Sequence, residues 1–129
     1  MIVFIVDDDE NLLAVLSRAA RNADFTVVTC KNGNELAQAL HSHSSEPGLV
    51  VLDIHMEDKD GIEAIDDLLQ LEQRIRVRFM TGGSDSHVIA ASMIAKSRGL
   101  NVGHSIFKPF NMNAFVDILR DEEALLSNA

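Results

Sequence analysis

The chain alternates between two hydrophobic periods. Five short apolar runs, Met1 to Val6, Phe25 to Thr29, Leu49 to Leu52, Arg76 to Met80 and Gly103 to Phe107, read as strands, and those apolar throughout suit a parallel sheet covered on both faces. Arg76 and Arg78 alternate with Val77 and Phe79, so the fourth strand is expected to be only half covered. Between the runs, apolar residues recur at helical spacing. Leu12, Leu13, Leu16, Ala19 and Ala20 form the first stripe, Leu36, Ala37 and Leu40 the second, and Ile62, Ile65, Leu68 and Leu69 the third. Val88, Ala91, Ile94 and Ala95 form the fourth, and Met112, Phe115, Val116 and Leu119 begin the fifth. Strand then helix, five times, predicts an α/β architecture: a parallel sheet with right-handed crossovers and helices on both faces.

Gly33, Gly61, Gly82, Gly83, Gly99 and Gly103 fall at the proposed boundaries, where tight or left-handed turns are needed. With no internal repeat or linker, 129 residues are expected to form a single domain, 1–129. The ending "DEEALLSNA" reads as helix, and could lead into a further domain.

Composition narrows the function. At 47% hydrophobic residues the chain can bury a core, which argues against disorder. A net charge of −9 is the wrong sign for tracking phosphates, so direct nucleic-acid binding is not expected. The single cysteine, Cys30, excludes an intramolecular disulfide and suits a small buried residue in a reducing compartment. No apolar run approaches the ~20 residues of a membrane span, and the N-terminus lacks the basic start of a signal peptide. A cytoplasmic protein without membrane contact is the expectation.

In an open parallel sheet, ligands bind beyond the carboxyl ends of the strands, so the residues that follow each strand matter most. Strand one is followed by Asp7, Asp8 and Asp9, strand three by Asp53, strand four by Thr81 and Gly82, and strand five by Lys108 and Pro109. Two carboxylates about 4 Å apart repel by about 4 kcal/mol at an effective dielectric of 20, so the acids call for a compensating cation. Hard oxygen ligands with open positions suit Mg²⁺. A carboxylate can also attack phosphorus to give an aspartyl phosphate, whose charge Lys108 and Mg²⁺ would offset while Thr81 donates a hydrogen bond.

The stretches "VDDDE", "LDIHMEDKDG", "MTGGSD" and "FKPF", in that order across nearly the whole chain, resemble the receiver domains of two-component response regulators. The resemblance implies a flavodoxin-like, doubly wound five-stranded sheet of strand order 2-1-3-4-5, the chemotaxis-regulator-like fold. It implies a phosphoacceptor switch rather than a metabolic enzyme, with at most self-phosphorylation from small donors and slow self-dephosphorylation. Asp53 would accept the phosphoryl group from a histidine kinase or phosphotransfer protein. Asp7, Asp8 and Asp53, with the backbone carbonyl of His55, would hold Mg²⁺, for which Mn²⁺ or Ca²⁺ could substitute. Thr81 and Lys108 would contact the phosphoryl oxygens, and the Lys108 to Pro109 peptide would be cis. The signal would pass to an output domain or protein through the fourth helix, fifth strand and fifth helix, between Ser84 and Leu126. A homodimer through those helices stays open, without a residue-level argument.

The sequence departs from that family in places. Glu57 stands where proline is common, and Ser105 occupies the switch position where many members carry Tyr or Phe. Thr81 and Lys108 are 27 residues apart, more than the family spacing. The segment "GLNVGHSIFKPF" is similar to receivers fused to cyclic-di-GMP phosphodiesterase domains. Other readings compete. Asp9 and Glu10 can simply favour a helix N-terminus, Asp60-Gly61 can be a turn, and Thr81 can serve backbone groups before Ser84 or Asp85 caps a helix. Asp53 and His55 could share a transition metal, whereas the histidines at 41, 43, 87 and 104 have no ligand spacing. Asp7 and Asp9 could belong to a haloacid-dehalogenase-like phosphatase, though Asn11 departs from that motif and Asp53 goes unexplained. A flavin-binding domain would need a phosphate loop after strand one, where the acids would repel phosphate. A phosphorylation-independent docking module is the remaining alternative.

Overall fold

The computed structural model describes residues 1–43, 46–54, 75–82 and 85–127, with the backbone alone for 85–88. The third helical stripe, the segment from His55 to Gly61, Gly83 and Ser84 lie outside the described residues. Strands β1 (Ile2–Val6), β2 (Thr26–Cys30), β3 (Gly48–Asp53) and β4 (Ile75–Thr81) pair in parallel in the order β2-β1-β3-β4. Two short strands, β5 (Asn101–Val102) and β6 (Ile106–Phe107), both pair in parallel with the outer edge of β4. The helices described are α1 (Glu10–Asn22), α2 (Gly33–Ser42), α3 (Asp85–Ser97) and α4 (Met112–Ser127). This is the expected flavodoxin-like, doubly wound sheet.

Alternate residues of a strand face opposite sides of a sheet, and here both sides are apolar. Phe4, Val6, Val50, Leu52, Val77 and Phe79 meet Leu36 and Leu40 of α2 and Ala91 and Ala95 of α3. Val3, Ile5, Leu49, Val51 and Met80 meet Leu13, Leu16 and Ala20 of α1 and Phe115 and Leu119 of α4. β1 and β3 are therefore buried along their whole lengths. The start of β3 sits tight on β1: a Cβ on Gly48 would lie 2.9 Å from the ring of Phe4.

β3 and β4 each run one residue further at both ends than the apolar runs suggested, and two larger differences concern β2 and the fifth strand. β2 begins one residue later, at Thr26. Asp24 takes the left-handed conformation (φ 69°), and the Phe25 N–H donates back to the Ala20 carbonyl at 3.1 Å. Phe25 thus closes the end of α1 instead of opening the strand. The fifth strand is broken in two. Gly103 N–H still donates to the Val77 carbonyl, but the His104 carbonyl accepts from the Arg78 guanidinium at 3.2 Å. A side chain of β4 has taken an acceptor from the ladder, and the chain rejoins the sheet only at Ile106.

Candidate functional site

Register brings the candidate residues together. Val6 pairs with Leu52, so Asp7 and Asp53 leave adjacent strands side by side. Asp53 is opposite Met80, one residue before Thr81, and Thr81 is opposite Phe107, one residue before Lys108. The Lys108 N–H donates to the Thr81 carbonyl at 2.8 Å, and the Lys108-Pro109 peptide is cis. Asp7, Asp53 and Thr81 are buried, whereas Asp8 is exposed.

The side chains converge. Lys108 Nζ donates to Asp7 Oδ2 at 2.7 Å and to Asp53 Oδ2 at 3.3 Å. Asp7 Oδ1 accepts from the Asp9 N–H at 2.9 Å, which fixes the carboxylate in place. Carboxylate oxygens of Asp7, Asp8 and Asp53 lie within 4.8 Å of one another. Burial alone would lower the Lys108 pKa, but the hydrogen bond to Asp7 and the charges of Asp53 and Asp7 raise it above the ordinary lysine value. The ammonium is therefore fully charged at neutral pH. Among the described residues three carboxylates stand against one ammonium, and an all-oxygen donor set with excess negative charge fits a divalent cation such as Mg²⁺.

Asp9 belongs to the helix instead. Its Oδ1 accepts from the N–H groups of Asn11 and Leu12 at 3.0 and 3.1 Å, capping α1 in the ordinary way of an N-cap acid. That engagement weakens the phosphatase reading, which uses the Asp7 and Asp9 pair. Ser105 lies in the gap between β5 and β6, half-buried. His55 lies outside the described residues. Burial, and next the Glu35 charge, push the Cys30 thiol up to about 12, so it is an inert core residue.

The sequence reading missed Glu122. It is completely buried on α4 and paired with Arg76 and Arg78 of β4. A signal existed, since Phe115, Leu119, Glu122 and Leu126 fall on one buried stripe opposite two arginines that lacked a partner.

Comparison with known proteins identifies the family and the fold. The response regulator receiver domain profile matches residues 3–120. The DNA-binding transcriptional regulator NtrC of Salmonella typhimurium is 33% identical over 118 residues, covering 92% of this chain; the chain spans only 24% of that relative's length. A crystal structure of a CheY-like response regulator receiver domain protein from Methanospirillum hungatei superposes with a TM-score of 0.81 at 25% identity, covering 99% of this chain and 98% of that one. A response regulator from Colwellia psychrerythraea gives 0.75 at 27% identity, covering 93% and 94%. The chain belongs to the response regulator receiver domain family.

Proposed function

We propose that this chain is a phosphoacceptor switch in which Asp53 is the residue modified. An Asp53 carboxylate oxygen attacks phosphorus of a phosphohistidine on a histidine kinase or phosphotransfer protein. The P–O bond forms as the P–N bond breaks, and the imidazole ring, already protonated on its other nitrogen, leaves as neutral imidazole with the P–N electron pair. The observation that carries the reading is the buried Asp53 carboxylate, 3.3 Å from Lys108 Nζ and grouped with the oxygens of Asp7 and Asp8.

Asp7, Asp8 and Asp53, with the His55 backbone carbonyl, would hold Mg²⁺, which neutralises charge on the phosphoryl oxygens when bound. Lys108 reaches both Asp7 and Asp53, so on modification its ammonium can exchange a carboxylate for a phosphoryl oxygen with little movement. Thr81, at the end of β4, supplies a hydroxyl to a second oxygen. Small phosphodonors reach the same nucleophile, which gives self-phosphorylation and slow self-dephosphorylation without metabolic turnover. The readout surface is α3, β5, β6 and the outer side of α4, which shares strand β4 with Thr81. A cytoplasmic setting follows from a kinase donor; among the described residues no helix is long and apolar enough to cross a membrane.

Intact-protein mass spectrometry after incubation with acetyl phosphate and Mg²⁺ tests the reading. One Mg²⁺-dependent, hydroxylamine-labile phosphoryl group on the wild type and none on Asp53→Asn is expected. An adduct that survives Asp53→Asn would overturn the assignment. No adduct on the wild type, from acetyl phosphate or from a phosphorylated histidine phosphotransfer domain, would leave the docking module in its place.

A further inference from the structure

Outside the Asp53 site, Glu122 is the one buried charged residue among those described. Its carboxylate accepts from Nε of Arg76, from Nη2 of Arg76 at 3.4 Å, and from Nε of Arg78 at 2.7 Å. Burial alone would raise its pKa, but hydrogen bonds from the two guanidinium groups and then their charges outweigh it and hold the carboxyl below its ordinary value. It is ionised at neutral pH, so two guanidinium groups stand against one carboxylate. Arg78 also holds the His104 carbonyl. Each guanidinium carries five N–H donors, and these contacts use two of each.

The remaining donors are reachable. A cavity of about 380 Å³, lined by Arg76, Arg78, Lys96, His104 and Ser105 among others, lies at the break between β5 and β6. A neighbouring hollow of about 440 Å³ shares Lys96, His104 and Ser105 and adds Ile89, Met93 and Phe107. Those three apolar side chains are 56%, 67% and 52% exposed. Leu125, on the border of the first cavity, is also exposed. A cationic floor ringed by bare apolar side chains is unusual on a chain of net charge −9, and it concentrates attraction for an anion at one point.

We infer that this pocket receives an acidic side chain, flanked by apolar residues, from a protein partner. The guanidinium fork matches a carboxylate bidentately, and Ile89, Met93 and Phe107 supply the apolar contacts around it, the arrangement of a desolvated anchor with a hydrophobic surround. A nucleic-acid backbone would meet the net negative charge of the chain and offers no apolar groups to the rim. The inference rests on the reading of this face as the readout surface and gives its partner a chemistry. Arg76 and Arg78 lie on the strand that ends at Thr81, so the pocket and the phosphoryl site share one rigid element.

The test is an NMR titration of the ¹⁵N-labelled chain with the acetylated, amidated pentapeptide Ala-Leu-Glu-Leu-Ala, its Gln counterpart, and sodium acetate. The Glu peptide is expected to shift the signals of Gly103, His104, Lys96 and the Arg78 Nε, and to bind at least about tenfold more tightly than the Gln peptide. Lys96→Glu, on the exposed face of α3, should weaken the Glu peptide by a similar factor and leave the backbone spectrum otherwise folded. Arg78→Gln should do the same if it folds. Equal binding of the two peptides, shifts elsewhere, acetate reproducing the peptide's affinity, or no effect of Lys96→Glu would each overturn the inference. A chain that takes phosphoryl on Asp53 yet ignores the Glu peptide overturns the pocket alone. Peptide binding that phosphorylation leaves unchanged supports the pocket and refutes the readout role of the face.

Discussion

Asp7, Asp53 and Glu122 are the buried acids among the described residues, and each meets a cation, because an unpaired buried carboxylate would be costly. Lys108 serves the first two and the arginines of β4 the third. Removing one member of such a group leaves the others uncompensated. Glu122→Gln keeps the shape and deletes the charge, and is expected to cost about 3 kcal/mol, the low end for a broken buried pair, since the arginines keep some solvent contact. A urea midpoint unchanged from wild type would contradict the pairing. Cys30, with its thiol pushed up to about 12, should resist iodoacetamide in the native chain at pH 8 and react once the chain is unfolded in urea. Rapid native alkylation would mean that β2 opens readily.

The cluster of Asp7, Asp53, Thr81 and Lys108 was legible because its residues end or directly follow strands, where the topology of a parallel sheet exposes them. Asp7, Asp53, Thr81 and Lys108 could be ordered by reading one position after each apolar run. Glu122 could not be found in that way. In "RDEEALL" it stands among solvated acids, and only its spacing from Phe115 and Leu119 puts it on the buried face of α4, where Arg76 and Arg78 of β4 meet it. The break in the edge strand was hidden for the same reason. "GHSIF" has strand-compatible residues at its end, but the contact that interrupts it comes from Arg78, a residue 26 positions away. Gly103 is the element that permits this. A Cβ there would lie 2.5 Å from Arg78 Nε and 2.6 Å from Glu122 Oε1, and those atoms are pinned to each other. Gly103→Ala is expected to destabilise by about 1–3 kcal/mol through overpacking and to shift the His104 and Arg78 Nε signals. Full stability with an unshifted Arg78 would show that residue 103 does not press on the Arg78 and Glu122 pair.

Stability of the whole chain should carry the signature of both charge clusters. Glu122 is held below its ordinary value of 4.5 in the folded chain, so its stabilisation is present above that pH and is lost as pH falls through the folded value. The acid limb of the stability curve should therefore flatten in Glu122→Gln. At neutral pH the other cluster decides. Among the described residues Asp7, Asp8 and Asp53 face one ammonium, so negative charge is concentrated in one place on a chain of net −9. A cation that binds only the folded form stabilises it by mass action, by about 2.7 kcal/mol at a hundredfold excess over Kd. Mg²⁺ should therefore raise the urea midpoint relative to EDTA, well beyond NaCl at equal ionic strength. Asp8→Asn separates this from general screening, because its effect should change sign with the metal. In EDTA the variant should be at least as stable as wild type, because a like charge has been removed from the cluster. In Mg²⁺ it should be less stable, because an oxygen ligand has lost its charge. Equal Mg²⁺ stabilisation of wild type and Asp8→Asn would remove Asp8 from the site.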